Sequence, residues 1–168
     1  IKHATLLSSV EGSGFQIEVT EDKKQEILEL NFTCPDHPGL FSRLSGACAV
    51  AGLTIVDAKL AITKDGMALD VLRLQEPERE NFPDKARVER LIATIKSVLK
   101  GDILPPDRLA DVPFSRRVSA FNLVNNVTID NELSSHSTVI EVSGLDRPGL
   151  LYALAKTLFN LNVTIVSA

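Results

Sequence analysis

Short stretches in which apolar and polar residues alternate recur along the chain and predict strands. Residues 27–33 place leucine or phenylalanine at every second position between polar neighbours, the period-two pattern of a strand with one buried face. The same alternation predicts strands over 54–63 and 67–75, and Lys64-Asp65-Gly66 between them is a hairpin-turn sequence. A further short strand is predicted around 15–19, after a glycine-serine-glycine turn.

Apolar residues three and four positions apart predict three helices. They cover about 40–51, 88–99 and 150–161, each with one apolar stripe. In the last of these the stripe consists of Leu150, Leu154, Leu158 and Leu161.

One pentapeptide pattern occurs twice. Asp36-His37-Pro38-Gly39-Leu40 follows the first predicted strand, and Asp146-Arg147-Pro148-Gly149-Leu150 follows 110 residues later. The register holds around both copies, since Thr54-Ile55-Val56 returns as Thr164-Ile165-Val166 and Ala58 corresponds to Ala168. A repeat of this length indicates a duplicated domain and not a solenoid unit.

The pentapeptide joins the end of a strand to the start of a helix. Pro38 has a fixed φ and no N–H group, and Gly39 has no Cβ, so a ligand can approach the backbone closely. The first amides of a helix lack intrahelical acceptors and carry the positive end of the helix dipole, which suits a carboxylate. The alternative is that the pattern is only a tight strand-to-helix turn.

A strand, Asp-X-Pro-Gly-Leu, an amphipathic helix, a Gly or Asn and a β-branched strand together resemble the opening of an ACT domain. The stretches Val127-Thr128-Ile129-Asp130-Asn131-Glu132 and Asp65-Gly66-Met67-Ala68-Leu69-Asp70 narrow the likeness to the C-terminal tandem ACT region of the bacterial PII uridylyltransferase/uridylyl-removing family. The resemblance covers roughly 28–168. It implies an α+β fold: tandem ferredoxin-like βαββαβ units, each an antiparallel sheet with helices on one face.

The resemblance also implies a division of the chain. Residues 1–26 would form an N-terminal extension with a short strand, and 27–130 the first ACT domain, in which 101–117 is a connector before a last strand near 124–130. Residues 138–168 would form the first half, βαβ, of a second ACT domain. Because half a domain leaves an apolar face and a sheet edge open, we expect either a fragment or a second copy covering that face.

ACT domains bind amino acids at the interface between two domains, which implies a site at these loops. The ligand carboxylate would meet the amides near Gly39 and Leu40, or near Gly149 and Leu150. The ammonium group would meet Asp36 or Asp146, although either aspartate could instead bond its own backbone in a turn. The loops differ at His37 and Arg147, so the two sites need not be equivalent. The expected ligand-binding residues are Asp36, His37, Gly39, Leu40, Asp146, Arg147, Gly149 and Leu150.

Composition excludes several classes of function. The chain has 168 residues, a net charge of −4 and no basic run, which argues against a nucleic-acid surface. No apolar run is long enough to span a membrane, and no signal peptide is visible. Two cysteines without a disulfide framework fit a reducing cytosol.

No catalytic or metal-binding constellation is evident. The three histidines lack metal-ligand spacing with the cysteines, and no phosphate-binding loop occurs. Cys34 and His37 could form a nucleophile pair, but no orienting third group is evident. The catalytic motifs of the resembled family match nothing here, so we expect no catalysis and no cofactor in this chain, Mg²⁺ being expected only for the absent catalytic domains.

The resemblance implies a regulatory module that senses an amino acid, glutamine above all. Its partners would be that amino acid, upstream catalytic domains and the PII protein, with a homodimer through the sheets as a further possibility. The alternatives are a stand-alone tandem ACT binding protein, a purely structural dimerisation module and a cysteine-dependent enzyme.

Overall fold

The computed structural model describes four stretches of the chain, residues 4–12, 14–76, 85–102 and 124–168. The chain divides into two compact units. The larger unit comprises Ile1–Ala110 with Pro148–Ala168, and the smaller unit comprises Asp111–Arg147. The predicted connector 101–117 lies outside the described residues from residue 103 onward.

An antiparallel five-stranded sheet in the order β1-β2-β3-β5-β4 organises the larger unit. Its strands are β1 (Ala4–Gly12), β2 (Phe15–Asp22), β3 (Ile27–Pro35), β4 (Thr54–Ile62) and β5 (Met67–Gln75). In β3 and β5 every second residue is buried, because the sheet turns one face towards a core. The strands expected from alternation at 27–33, 54–63 and 67–75 are therefore confirmed.

Three helices lie in the described part of the larger unit. They are α1 (Leu40–Val50), α2 (Lys85–Lys100) and α3 (Leu150–Asn160), and α1 packs against both of the others. Their buried side chains join those of the strands in one hydrophobic cluster, which includes Phe32, Leu44, Leu72, Leu91 and Ile95. An antiparallel sheet whose buried face shares a core with helices confirms the α+β class.

The N-terminal segment contributes more to the sheet than its sequence indicates. The strand expected around 15–19 exists as β2, but β1 precedes it and pairs with it as well. β2 pairs with β3 from Gln16↔Thr33 to Asp22↔Ile27 and so fills the sheet position beside β3. The intervening turn is short and contains Glu26 in a left-handed conformation with φ 53°. A short connection of this kind costs little closure entropy.

The strand expected near 124–130 exists as β6 (Asn126–Asp130), but its partner differs from the expectation. We expected it to be the last strand of the first domain, whereas it pairs with β7 (Val139–Ser143) in a separate two-stranded sheet within the smaller unit. The physical reason is that β2 already holds the edge of β3 where such a strand would bind. In the intervening loop Asp130 Oδ1 accepts hydrogen bonds from the N–H groups of Glu132 (2.7 Å) and Leu133 (3.0 Å).

The third helix buries a different stripe from the one expected. Tyr152 and Ala155 are its buried residues, while Leu150, Leu154 and Leu158 are half-buried and Leu161 is exposed. Among the described helices α3 packs mainly against α1, so only a narrow strip along it is enclosed. The strand expected from Thr164 is reduced to a bridge between Ser167 and Lys59 of β4.

Candidate functional site

The two copies of the repeat adopt the same backbone at both ends of their helices. Gly39 precedes α1 with φ 78° and ψ 10°, and Gly149 precedes α3 with φ 78° and ψ 7°. Gly52 and Asn162, which follow the same helices at equivalent positions, have φ 77° and 58°. Asparagine tolerates this left-handed conformation better than most residues, so it can replace glycine there. The duplication seen in the sequence is therefore a duplication of structure.

A cavity of about 310 Å³ lies beside the N-terminus of α1. That volume is at the lower end of the range for small-molecule sites. Its wall combines the first loop and the first turn of α1, the adjoining parts of β4 and β5, and α3 with the segment after it. The lining residues are Asp36, His37, Pro38, Gly39, Leu40, Phe41, Ser42, Leu60, Ala61, Ile62, Ala68, Asp70, Ala155, Phe159, Asn162, Val163, Thr164 and Ile165.

The backbone at the start of α1 offers hydrogen-bond donors to this cavity. Leu40 N–H is already used, because it donates to His37 O at 3.2 Å. The N–H groups of Phe41 and Ser42 find no acceptor among the described residues. No side chain caps the helix either. The donors available to a carboxylate are therefore one to two residues further along than the sequence suggested.

All four candidate residues of the first loop line the cavity. Asp36 is exposed, and its N–H group fixes the loop by donating to Gly66 O at 2.9 Å. His37 is half-buried, with Nδ1 3.4 Å from Pro38 O. Gly39 and Leu40 complete the set. The structure thus brings these four predicted residues together at one cavity.

The candidates of the second loop are placed differently. Asp146 and Arg147 belong to the smaller unit, where Asp146 is exposed and Arg147 half-buried. Gly149 and Leu150 belong to the larger unit and begin α3. None of the four lines the cavity beside α1.

The second copy of the repeat contributes to the cavity through its helix instead. A Cβ atom placed on Gly39 would lie 3.2 Å from two atoms of the Phe159 ring. That distance is tighter than most Cβ contacts, so a side chain at position 39 would require the Phe159 ring to move by a few tenths of an ångström. Phe159 was not among the expected site residues.

Asp70 is the second residue that the expected site lacked. It lies on β5 opposite Phe32 of β3 and Leu60 of β4, on the buried face of the sheet, and only 5% of it is exposed. Burial, with Asp36 nearby, raises the pKa of Asp70 to about 6. The signal was present in the sequence, since Asp70 occupies the apolar register that Ala68, Leu72 and Leu74 share.

The geometry of the cysteines argues against the nucleophile pair considered above. Cys34 is buried and its thiol donates to Pro35 O at 3.1 Å, not to His37. Burial, Asp70 and Asp36 raise the pKa of Cys34 to about 11, and burial raises that of Cys48 to about 12. Both side chains are therefore neutral thiols at physiological pH, and a thiol is a poor nucleophile.

The described residues contain neither a metal-binding cluster nor a membrane-spanning helix. No group of three or more histidine, cysteine, aspartate or glutamate side chains in that part of the chain is arranged to hold a metal ion. No described helix is both long enough and apolar enough to cross a membrane.

Comparison with known proteins supplies the remaining observation. No protein-family model and no solved structure matches the chain. The chain is, however, similar over its whole length to one region of bifunctional uridylyltransferase/uridylyl-removing enzymes. The relative from Nitrobacter winogradskyi is 39% identical over 170 residues, that from Bradyrhizobium sp. (strain ORS 278) 40% over 171, and that from Rhodospirillum rubrum 37% over 172.

The match covers a small part of each relative. The chain aligns along 100% of its own length but spans 18% of each of these three bifunctional uridylyltransferase/uridylyl-removing enzymes. The names of these relatives describe whole enzymes, so the similarity relates this chain to a region of them and not to their complete activity.

Proposed function

We propose that the chain is the regulatory module of a PII uridylyltransferase/uridylyl-removing enzyme, a tandem ACT unit that binds glutamine. The observation that carries the proposal is the cavity beside α1, whose wall joins the Asp36–Leu40 loop of one repeat to α3 of the other. Whole-length similarity to a region of such enzymes supports the assignment to a parent of this kind. In this proposal the chain has no catalytic residue or cofactor of its own and functions in the cytoplasm.

The cavity suits a small amino acid on chemical grounds. The free N–H groups of Phe41 and Ser42 are donors for its carboxylate, and the carboxylates of the lining residues Asp36 and Asp70 are acceptors for its ammonium group. Because the wall combines both repeats, a bound ligand would favour the arrangement in which they lie together. Such a preference for one arrangement is what regulation of the upstream catalytic domains and of the response to PII requires.

Calorimetric titration of the protein with glutamine, glutamate and 2-oxoglutarate tests the proposal. We expect saturable binding of glutamine and no comparable binding of 2-oxoglutarate, which lacks an ammonium group. In the parent enzyme, glutamine should bind with different affinities to the uridylylating and the uridylyl-removing states. Folded protein that binds none of the three compounds would contradict the proposal and favour a dimerisation module.

A further inference from the structure

The carboxyl group of Asp70 is buried without a partner in the fold. Only 5% of the residue is exposed, and no hydrogen bond or ion pair to its side chain occurs among the described residues. No fully enclosed polar side-chain atom of the described residues lacks a hydrogen-bond partner, so the oxygens of Asp70 still reach open space. That space is the cavity beside α1, which Asp70 lines.

An unpaired buried carboxyl group is unfavourable, because ionisation in a poorly solvated place lacks compensation. The neighbours of Asp70 on the adjacent strands are Phe32 and Leu60, which offer no donor. A ligand with a positively charged group would supply the missing partner. The position of Asp70 thus points to a cation in the cavity and not to a structural role in the empty protein.

Negative charge predominates among the side chains around the cavity. Among the described residues that line it, Asp36 and Asp70 carry carboxylates, none is a lysine or arginine, and His37 has the one basic side chain. Cys34 adjoins both carboxylates but is a neutral thiol. A ligand with a second carboxylate would meet like charge in a confined space, which disfavours its binding.

We propose that Asp70 accepts the α-ammonium group of the bound amino acid and, with Asp36, excludes amino acids that carry a second carboxylate. This proposal rests on the proposed function and specifies how its site chooses a ligand. The ligand carboxylate lies at the Phe41 and Ser42 amides, and its ammonium group lies at Asp70 on the sheet. The ligand side chain must not carry a negative charge, which selects glutamine over glutamate.

The test compares Asp70→Asn, Asp36→Asn and the control Glu18→Gln, an equal change of charge on β2 at an exposed residue that does not line the cavity. Each is titrated calorimetrically with glutamine, with glutamate and with glutaramate, which is glutamine without its amino group. We expect Asp70→Asn to weaken glutamine binding by at least about tenfold, since a charge-assisted hydrogen bond is lost. Asp70→Asn should also reduce the ratio of glutamine affinity to glutamate affinity. Glu18→Gln should change neither the glutamine affinity nor this ratio.

The dependence on pH gives an independent readout. Glutamine binding to the unaltered protein should weaken as pH falls through about 6, because protonated Asp70 no longer attracts an ammonium group. Asp36 and His37 from the loop and Cys34 from β3 are the other titratable groups facing this place. The loss of glutamine affinity as the pH falls through about 6 should therefore be absent in Asp70→Asn and present in Asp36→Asn.

The outcomes separate the two proposals. If the unaltered protein binds no glutamine, the proposed function itself is wrong. If it binds glutamine and Asp70→Asn binds it equally well, the sensor proposal stands and the role of Asp70 is wrong. A loss confined to Asp36→Asn would also overturn the role of Asp70, because the loop carboxylate would then hold the ammonium group. Thermal unfolding of each variant confirms that the protein titrated is folded.

Discussion

Ala58 and Ala168 exchange both of their backbone hydrogen bonds, at 2.5 Å from Ala58 N to Ala168 O and at 3.1 Å from Ala168 N to Ala58 O. They are also the same position in the two copies of the repeat. A position that pairs with its own equivalent marks a local two-fold axis, as at an isologous interface. α1 and α3 are likewise equivalent elements, and they pack together. The repeats therefore meet in a two-fold manner, which places α3 of one beside the loop of the other.

Gly39→Ala should destabilise the protein and weaken ligand binding. The new Cβ would lie 3.2 Å from the Phe159 ring, in a residue whose φ is 78°. Left-handed backbone alone costs an alanine about 1–2 kcal/mol. Displacement of the ring adds to this cost and distorts the cavity. Urea unfolding and glutamine titration measure the two effects.

Gly52→Ala is the matched control for that change. Gly52 has a similar φ, 77°, but no atom lies within 4 Å of a Cβ placed there. It should show the backbone cost without the loss of binding. Adding Phe159→Ala to Gly39→Ala should recover part of the extra cost. Equal destabilisation by Gly39→Ala and Gly52→Ala would show that the contact with Phe159 is unimportant.

Asp70→Asn should stabilise the ligand-free protein at neutral pH. The pKa of Asp70 rises from 3.8 to about 6 on folding, so the folded state binds more protons between these values. The contribution of Asp70 to the free energy of unfolding is therefore most favourable below pH 4, where its carboxyl group is protonated in both states. This contribution is lost as the pH rises through 6 and the buried group ionises. Asparagine cannot ionise, so the variant should gain up to about 3 kcal/mol at pH 7.5 and little at pH 4.

Urea unfolding at pH 4 and pH 7.5 measures the free energy of unfolding of Asp70→Asn relative to the unaltered protein. Glu18→Gln is the control, and it should not show a stabilisation that appears only at pH 7.5. A variant that is more stable but binds ligand less well is the expected signature of a binding residue. Destabilisation by Asp70→Asn at pH 7.5 would instead indicate a structural role for the carboxylate.

Both cysteines should react slowly with a thiol reagent in the folded protein. Cys34 and Cys48 are 4% and 0% exposed, with pKa values of about 11 and 12, so little thiolate forms at pH 8. Absorbance during reaction with a disulfide reagent should show two thiols titrating rapidly only after denaturant is added. Rapid reaction of one thiol in the native protein would revive the cysteine-dependent alternative.

Substitutions along β5 should separate its two faces. Leu72 is fully buried, so Leu72→Ala should destabilise by about 2–5 kcal/mol, from lost transfer energy and the cavity left behind. Leu69 points to the opposite face and is 42% exposed. Leu69→Ala should cost less than about 1 kcal/mol. Similar urea midpoints for the two variants would contradict the assignment of the buried face.

The regular elements followed from local patterns. Alternation over β3 to β5 and helical spacing over α1 gave their bounds to within about two residues, because each element buries one face and its sequence shows that period. The repeat was equally visible, and the glycines of its two copies, Gly39 and Gly149, share a φ of 78° in the structure. Four of the eight expected site residues lie at one cavity, because they are neighbours in a single strand-to-helix loop.

What the sequence by itself determined was therefore the duplication, the first loop and the type of every described element except β1. Only the tertiary structure decided that β2 and not β6 pairs with β3, and that Phe159 of α3 and Asp70 of β5 line the cavity. Pairing between strands and contact between repeats depend on which surfaces meet after the chain folds back. Segments distant in sequence can pair with the same sheet edge or pack on the same face. The local pattern of apolar and polar residues does not predict which of these segments does so.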